Sequence, residues 1–196
     1  MAQRFTDLMQ TLEQSERLRM RQGKNHEQWY ALQLRTRFEK VVAMHLRGKG
    51  YEEYLPTFKS RRQWSDRVKE IELPLFPGYI FCKLDATNRL PVLVIPGVIS
   101  VVSFGGSPMA VPEREIAAVE QVVSSGMKYG PWPGACVGQP VRVKHGPLRG
   151  VEGIVVEVKK NYHLVISVSL MQRCVSVEID RDCVAPVSES QRVLMV

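Results

Sequence analysis

Glu72-Leu-Pro-Leu-Phe-Pro-Gly-Tyr-Ile-Phe-Cys-Lys83 joins two unlike halves. The first sets two prolines and a glycine among large apolar residues, and the second, Gly78 to Cys82, is bulky and suited to a strand. Pro74 and Pro77 each remove a backbone donor, so the segment before Gly78 is an edge strand or a rigid extended loop and not a central strand. A stiff apolar ridge therefore leads into a buried strand. Two readings of the ridge stay open. Leu75, Phe76 and Tyr79 are core side chains, or Phe76 and Tyr79 belong to an apolar surface that docks a partner, where aromatics bring a large contact area with few rotors to freeze.

Upstream of the ridge, Trp29 to Leu34 reads as a strand closed by Arg35, Thr36 and Arg37. Phe38, Val41, Val42, His45 and Leu46 recur at steps of three and four, which predicts one face of a helix ending near Gly48 and Gly50. Tyr51 to Leu55 is the next strand. Lys59 to Lys69 is a basic stretch around Trp64 that suits phosphate contacts and base stacking. Its plainer alternative is a solvated hairpin with Trp64 folded back on the sheet. Downstream, Asn88 to Ile95 reads as a short helix or buried turn, Ile99 to Phe104 as a β-branched strand stopped at Gly105-Gly106, and Val111 to Gly126 as a helix. Pro112 and the acidic Glu113 and Glu115 fit the first turn of that helix, and Ile116, Val119 and Val123 its buried face. Strand, helix, strands, helix, strand, helix makes an α/β sandwich over residues 26–126.

Residues 127–136 hold Gly130-Pro-Trp-Pro-Gly134 and no periodicity, the pattern of a linker. From Val137 the chain turns to short alternating strands: Val141 to Lys144, Val151 to Val158, Leu164 to Val168, Cys174 to Ile179, and Cys183-Val184. Strands so short and so many in residues 137–187 favour closure into a small barrel over an open sheet. A tail of residues 188–196 follows. Residues 1–25 are an extension in which Phe5, Leu8, Met9 and Leu12 fall at helical spacing, a marginal helix that docks on the body or stays mobile.

Of the 196 residues 44% are apolar and 24% charged, a globular balance, and the net charge of +7 points to polyanionic partners. No apolar run reaches the roughly 20 residues of a spanning helix and no signal-peptide core opens the chain, so the expectation is a cytoplasmic monomer with no membrane partner. Cys82, Cys136, Cys174 and Cys183 are far apart in sequence, which predicts reduced, buried thiols. None of the four histidines has an acidic or cysteine neighbour at ligand spacing, so neither metal nor cofactor is expected. With no phosphate-binding glycine loop and no nucleophile elbow, the chain does not read as an enzyme.

Gly146-Pro-Leu-Arg-Gly150-Val-Glu-Gly153-Ile-Val, preceded by Val141 and Val143, looks like a KOW motif in an SH3-like barrel. Together with Trp29-Tyr30, Leu75-Phe-Pro-Gly-Tyr79, Pro96-Gly-Val98 and Pro112-Glu-x-Glu-Ile116, it resembles the NusG family of transcription elongation factors from about Trp29 to Pro186. The implied fold is α+β, a NusG-like N-terminal α/β sandwich plus the small KOW barrel. Arg62-Gln-Trp-Ser-Asp-Arg67 before the ridge and Phe104-Gly-Gly106 after it look most like the specialised UpxY-type antiterminators that relieve pausing or termination in long polysaccharide operons. A housekeeping NusG shares the fold and most of the ridge, and an RNA- or ribosome-binding KOW protein is the rival outside the family.

The resemblance assigns roles. Trp29, Tyr30, Phe76, Pro77 and Tyr79 would grip the clamp helices of the largest RNA polymerase subunit. Arg61, Arg62, Trp64, Arg67 and Lys69 would face upstream DNA, nascent RNA or the polymerase gate. The barrel tip at Leu170, Met171 and Arg173 would recruit Rho or a small-subunit ribosomal protein. The chain departs from the family at Val94-Ile95, where some members carry a polar pair that touches DNA, and at Met171, where others carry an aromatic.

Overall fold

The computed structural model describes residues 27–63, 68–132, 138–158, 161–168 and 171–187. The extension 1–25, residues 64–67 of the basic stretch, the linker positions 133–136, Leu170 and the tail 188–196 lie outside them.

Four strands make the first sheet: β1 (Gln28–Leu34), β2 (Glu52–Tyr54), β5 (Tyr79–Leu84) and β6 (Val98–Val101), in the order β2-β5-β1-β6. β1 and β5 are antiparallel with Trp29 opposite Lys83 and Gln33 opposite Tyr79. Both faces of this sheet are covered, so its central strands bury nearly every residue, as Ile80, Phe81, Cys82 and Leu84 of β5 do. One face carries Tyr30, Leu32, Ile80 and Cys82 against α1 (Glu39–Gly48) and the single turn α2 (Leu90–Leu93). The other carries Trp29, Ala31 and Phe81 against α3 (Glu113–Ser124), which buries Ile116, Val119 and Val122.

Two helix faces are rotated from the expectation. On α1 the buried residues are Glu39, Val42, Ala43 and Leu46, while Phe38 and Val41 are exposed. Apolar spacing misplaced this face because a carboxylate occupies part of it. On α3 the third buried position is Val122 and not Val123, which stays half-buried. The predicted strand from Ile99 to Phe104 is divided at Val102. β6 ends at Val101, and β7 (Ser103–Phe104) folds back on β8 (Ser107–Pro108) through Gly105 and Gly106.

β3 (Thr57–Gln63) and β4 (Val68–Pro74) form a separate two-stranded ribbon in which Thr57 faces Pro74 and Gln63 faces Val68. Pro74 ends the ladder at its edge, the position open to a residue without a donor.

The second sheet has six strands: β9 (Tyr129–Trp132), β10 (Gln139–Val143), β11 (Glu152–Val158), β12 (Asn161–Val168), β13 (Arg173–Ile179) and β14 (Val184–Pro186), in the order β14-β10-β11-β12-β13-β9. Its core is Val141, Val143, Leu148, Leu164, Ile166, Val175 and Val177. This β-rich unit is the barrel foreseen from the alternating strands. The linker expectation is corrected at residues 129–132. They pair with β13, Tyr129 opposite Val177 and Trp132 opposite Cys174. Glycine and proline in Tyr129-Gly-Pro-Trp132 hide an edge strand, since edges tolerate both.

Cys82 and Cys183 are free, but Cys174 is disulfide-bonded, a correction that sequence separation could not supply because distance along the chain is not distance in space. Burial, with Glu53 and Glu27 adding to it, pushes the Cys82 thiol up to about 12, so it stays protonated and inert at neutral pH.

Candidate functional site

Leu75 to Tyr79 turns sharply between β4 and β5. Pro77 presets the second position of the turn, Gly78 has φ +80°, and the Tyr79 amide donates to the Phe76 carbonyl at 3.0 Å. A positive φ after proline is the requirement of a type II turn, and glycine meets it without strain. Two further bonds hold the loop. The Leu34 amide donates to the Gly78 carbonyl at 2.8 Å, and the Gly78 amide donates to the Glu39 carboxylate at 2.9 Å.

Glu39 is the positioning residue that sequence reading missed. Among the described residues it is the one charged residue that is buried, and its carboxylate reaches from the first turn of α1 to the ridge. The signal was present as an acid in a helical first turn, which reads equally well as a dipole partner of its own helix. Glu39→Ala strands the Gly78 amide in a partly buried site, and chemical denaturation should show a loss of about 1–3 kcal/mol. Glu39→Gln keeps an acceptor and should lose clearly less.

The structure brings some of the expected ridge residues together and separates others. Phe76 (2% exposed) packs edge-on to Phe81 with ring centroids 5.7 Å apart, and Trp29 (6%) lies in the same apolar cluster. Tyr79 is half-buried against that cluster and Pro77 is exposed. The Lys83 ammonium stands 5.8 Å from the centre of the Trp29 ring, a cation–π contact at the edge of the surface. Tyr30 belongs elsewhere. Successive side chains of a strand point to opposite faces, so Tyr30 packs in the layer of α1 and cannot share a surface with Trp29.

The apolar cluster holding Trp29, Phe76 and Phe81 continues without a break through α3 into the six-stranded sheet. Polar contacts fasten the junction. The Gln121 side-chain amide on α3 donates to the carbonyls of Pro147 (2.9 Å) and Arg149 (3.3 Å), both in the glycine turn of the KOW-like motif, and the Tyr129 hydroxyl donates to the Thr57 carbonyl at 2.8 Å. The Tyr54 hydroxyl, stacked through its ring on Phe81 in the same region, is buried without a hydrogen-bond partner. Burial pushes its ionisation well above the ordinary phenol range, with Glu120 and Tyr129 adding to the rise.

On the β3–β4 ribbon the alternation sorts the charges. Lys59 and Arg61 share a face with Glu70 and Glu72, and both cations lie near Glu70, at 3.9 and 3.6 Å. In the ribbon's backbone register Arg62 pairs with Lys69 and Ser60 with Ile71. Arg61 and Lys69 are exposed; Trp64, Arg67 and the Arg62 side chain lie outside the described residues.

At the barrel tip Met171 is 8% exposed and part of the apolar core, whereas Arg173 is exposed. An unbranched thioether fills the space beneath a tight turn at Gln172, φ +50°. Leu170 lies outside the described residues. Among the described residues no helix is long and apolar enough to cross a membrane, and no cluster of His, Cys, Asp and Glu could hold a metal ion.

A family model described as NusG, transcription termination factor, matches residues 27–120. A transcription termination/antitermination protein NusG of Buchnera aphidicola (subsp. Baizongia pistaciae) is 30% identical over 169 residues, covering 78% of this chain and 92% of that protein. The NusG of an Escherichia coli O6:H1 strain is 29% identical with the same coverage. A solved structure described as domain interaction in Thermotoga maritima NusG has the same fold, with a TM-score of 0.51 at 20% identity, covering 83% of this chain and 98% of that one.

Proposed function

The chain belongs to the NusG family of transcription termination and antitermination factors, and from that premise we propose that it acts on transcript elongation by binding RNA polymerase, without chemistry of its own. The observation that carries this reading is the ridge. Trp29, Phe76 and Tyr79 lie in one apolar cluster, and the turn carrying Phe76, Pro77 and Tyr79 is held from two sides by Leu34 and Glu39. Such a rigid aromatic surface suits a helical partner, here the clamp helices of the largest polymerase subunit. Tyr79 and Pro77 offer the accessible contacts; Trp29 and Phe76 support them from below. Tyr30 acts indirectly, through the packing of β1.

Arg61, Arg62, Trp64, Arg67 and Lys69 serve contacts with upstream DNA or nascent RNA, the exposed Arg61 and Lys69 of the β3–β4 ribbon meeting phosphate. The barrel, through Leu170, Met171 and Arg173, recruits Rho or a small-subunit ribosomal protein. Burial of Met171 in the core favours Arg173 as the contact and Met171 as its support. The barrel and the ridge share one continuous apolar cluster through α3. The factor works as a cytoplasmic monomer, in an operon of the polysaccharide type. Preference for the elongating over the paused polymerase of about 1.4 kcal/mol would shift the pause equilibrium tenfold.

Single-round transcription by bacterial RNA polymerase, across a pause and a Rho-dependent terminator, tests the proposal. Greater read-through, reduced at least tenfold in apparent affinity by Tyr79→Ala with an unchanged far-UV spectrum, supports a specialised antiterminator. Enhanced termination gives the housekeeping role instead. RNA binding with no polymerase affinity overturns the proposal.

A further inference from the structure

The six-stranded sheet carries a cleft of about 400 Å³ where β10, β14 and the glycine turn at 146–150 meet. Arg142, Lys144 and Arg149 line it together with Gly150, Ala185 and Pro186, and none of its lining residues is acidic. Alternation along the strand builds the charged wall: Val141 and Val143 are buried, so Arg142 and Lys144 stand on the outer side. In register Arg142 lies between Glu152 of β11 and Ala185 of β14, and the small side chain of Ala185 leaves the cleft open on that side.

These cations are not taken up by internal partners. Among the described residues neither Lys144 nor Arg149 makes an ion pair, although Lys40, Arg47, Lys59, Arg61, Lys83 and Lys128 all do. Glu152 accepts from Nε of Arg142 at 2.6 Å and from its Nη2, which orients the guanidinium and uses two of its five N–H donors. With that carboxylate set against Arg142, the charges of Lys144 and Arg149 remain uncompensated. The turn that carries Arg149 is braced. Its amide donates to the Gly146 carbonyl at 3.1 Å and the Gly150 amide to the Val143 carbonyl at 2.9 Å, while Gln121 of α3 holds the Pro147 and Arg149 carbonyls. Ligand groups on a braced turn lose little freedom on binding.

An oriented guanidinium with donors to spare, beside a lysine and a second arginine, matches the oxygens of phosphate. No aromatic side chain lines the cleft, so bases find no stacking platform there and the contact is with backbone phosphates whatever the sequence. We propose that this cleft binds the phosphodiester backbone of a nucleic-acid strand, a contact on the barrel distinct from the β3–β4 ribbon and from the turn at Met171. It stands whether or not polymerase is bound.

The test titrates the full chain with a short fluorescent oligouridylate, following anisotropy and backbone amide shifts. The amides of Lys144, Arg149 and Gly150 should shift, and their silence overturns the proposal. Lys144→Glu with Arg149→Glu should weaken binding about tenfold and lower the slope of log affinity against log salt by about 1.4, two phosphate contacts at about 0.7 each. The same loss should appear in an Arg61→Ala, Lys69→Ala background, where the ribbon's share is gone, and Lys144→Arg with Arg149→Lys should keep the affinity of the parent. Unchanged affinity in the charge-reversed variant overturns the proposal. So does inorganic phosphate that shifts these amides at the same concentration as the oligouridylate, which makes the cleft a small-anion site, and so does polyglutamate bound as tightly through the same residues, which makes it a contact for an acidic protein.

Discussion

Phe76→Ala is expected to lower the free energy of unfolding by about 3–5 kcal/mol, a large share of the total for a domain whose stability is typically about 5–15 kcal/mol. The side chain is almost fully buried, meets Phe81 edge-on, and belongs to the cluster that joins the first sheet to α3 and the second sheet. Truncation leaves a cavity in a loop already constrained by Pro77, Gly78 and the Glu39 carboxylate, so the site cannot easily collapse to fill it. Urea unfolding would show the loss as a lower midpoint at an unchanged slope. A midpoint shift worth less than about 1 kcal/mol would mean that Phe76 is not in the core. The consequence for function is direct. Weak polymerase binding by a Phe76 variant would report on folding as much as on contact, and Tyr79, half-buried at the rim of the same turn, is the cleaner probe.

Gly153→Ala should cost about 2–3 kcal/mol although it adds only one carbon. Gly153 lies in β11 opposite Val141 of β10, and a Cβ built there would stand 2.6 Å from the Val165 carbonyl oxygen and 3.1 Å from a Leu164 methyl. The oxygen belongs to the backbone of β12, which is tied by ladders to both β11 and β13 and cannot move aside alone. The barrel has to open along the β11–β12 seam or unfold locally. Amide exchange in β10 to β13 should rise by about one to two orders of magnitude while β1 and β5 keep their protection. Equal exchange in the variant and the parent would show that the two strands are not so close.

Several features of this architecture needed no coordinates. Proline and glycine in Pro74-Leu-Phe-Pro-Gly78 announce a rigid turn because both restrict or extend φ locally, and the structure has Pro74 at a ladder end and Gly78 at positive φ. Alternating β-branched residues after Val141 announce short strands because side-chain direction in a strand repeats every two residues. These are local properties. The α1 face depended instead on a contact between Glu39 and Gly78, far apart in the chain, which made a carboxylate a buried residue and left Phe38 and Val41 outside. The same limit concealed β9, whose strand character comes from an empty edge on β13 and not from its own composition.

Placement of the ridge shows where the two kinds of information divide. The chain by itself determined which aromatics are present, that the loop bearing them is stiff, that a basic ribbon precedes it and that an alternating β unit follows, because each follows from residue type and short-range geometry. Only the tertiary structure decided that Trp29 and Tyr30 lie on opposite faces of one sheet, that Phe76 supports and Tyr79 presents, that Met171 is core, and that the barrel continues the ridge's apolar cluster through α3. These depend on which strands pair and which faces meet. Such choices are made by summed burial over residues distant in sequence, so no single stretch carries them.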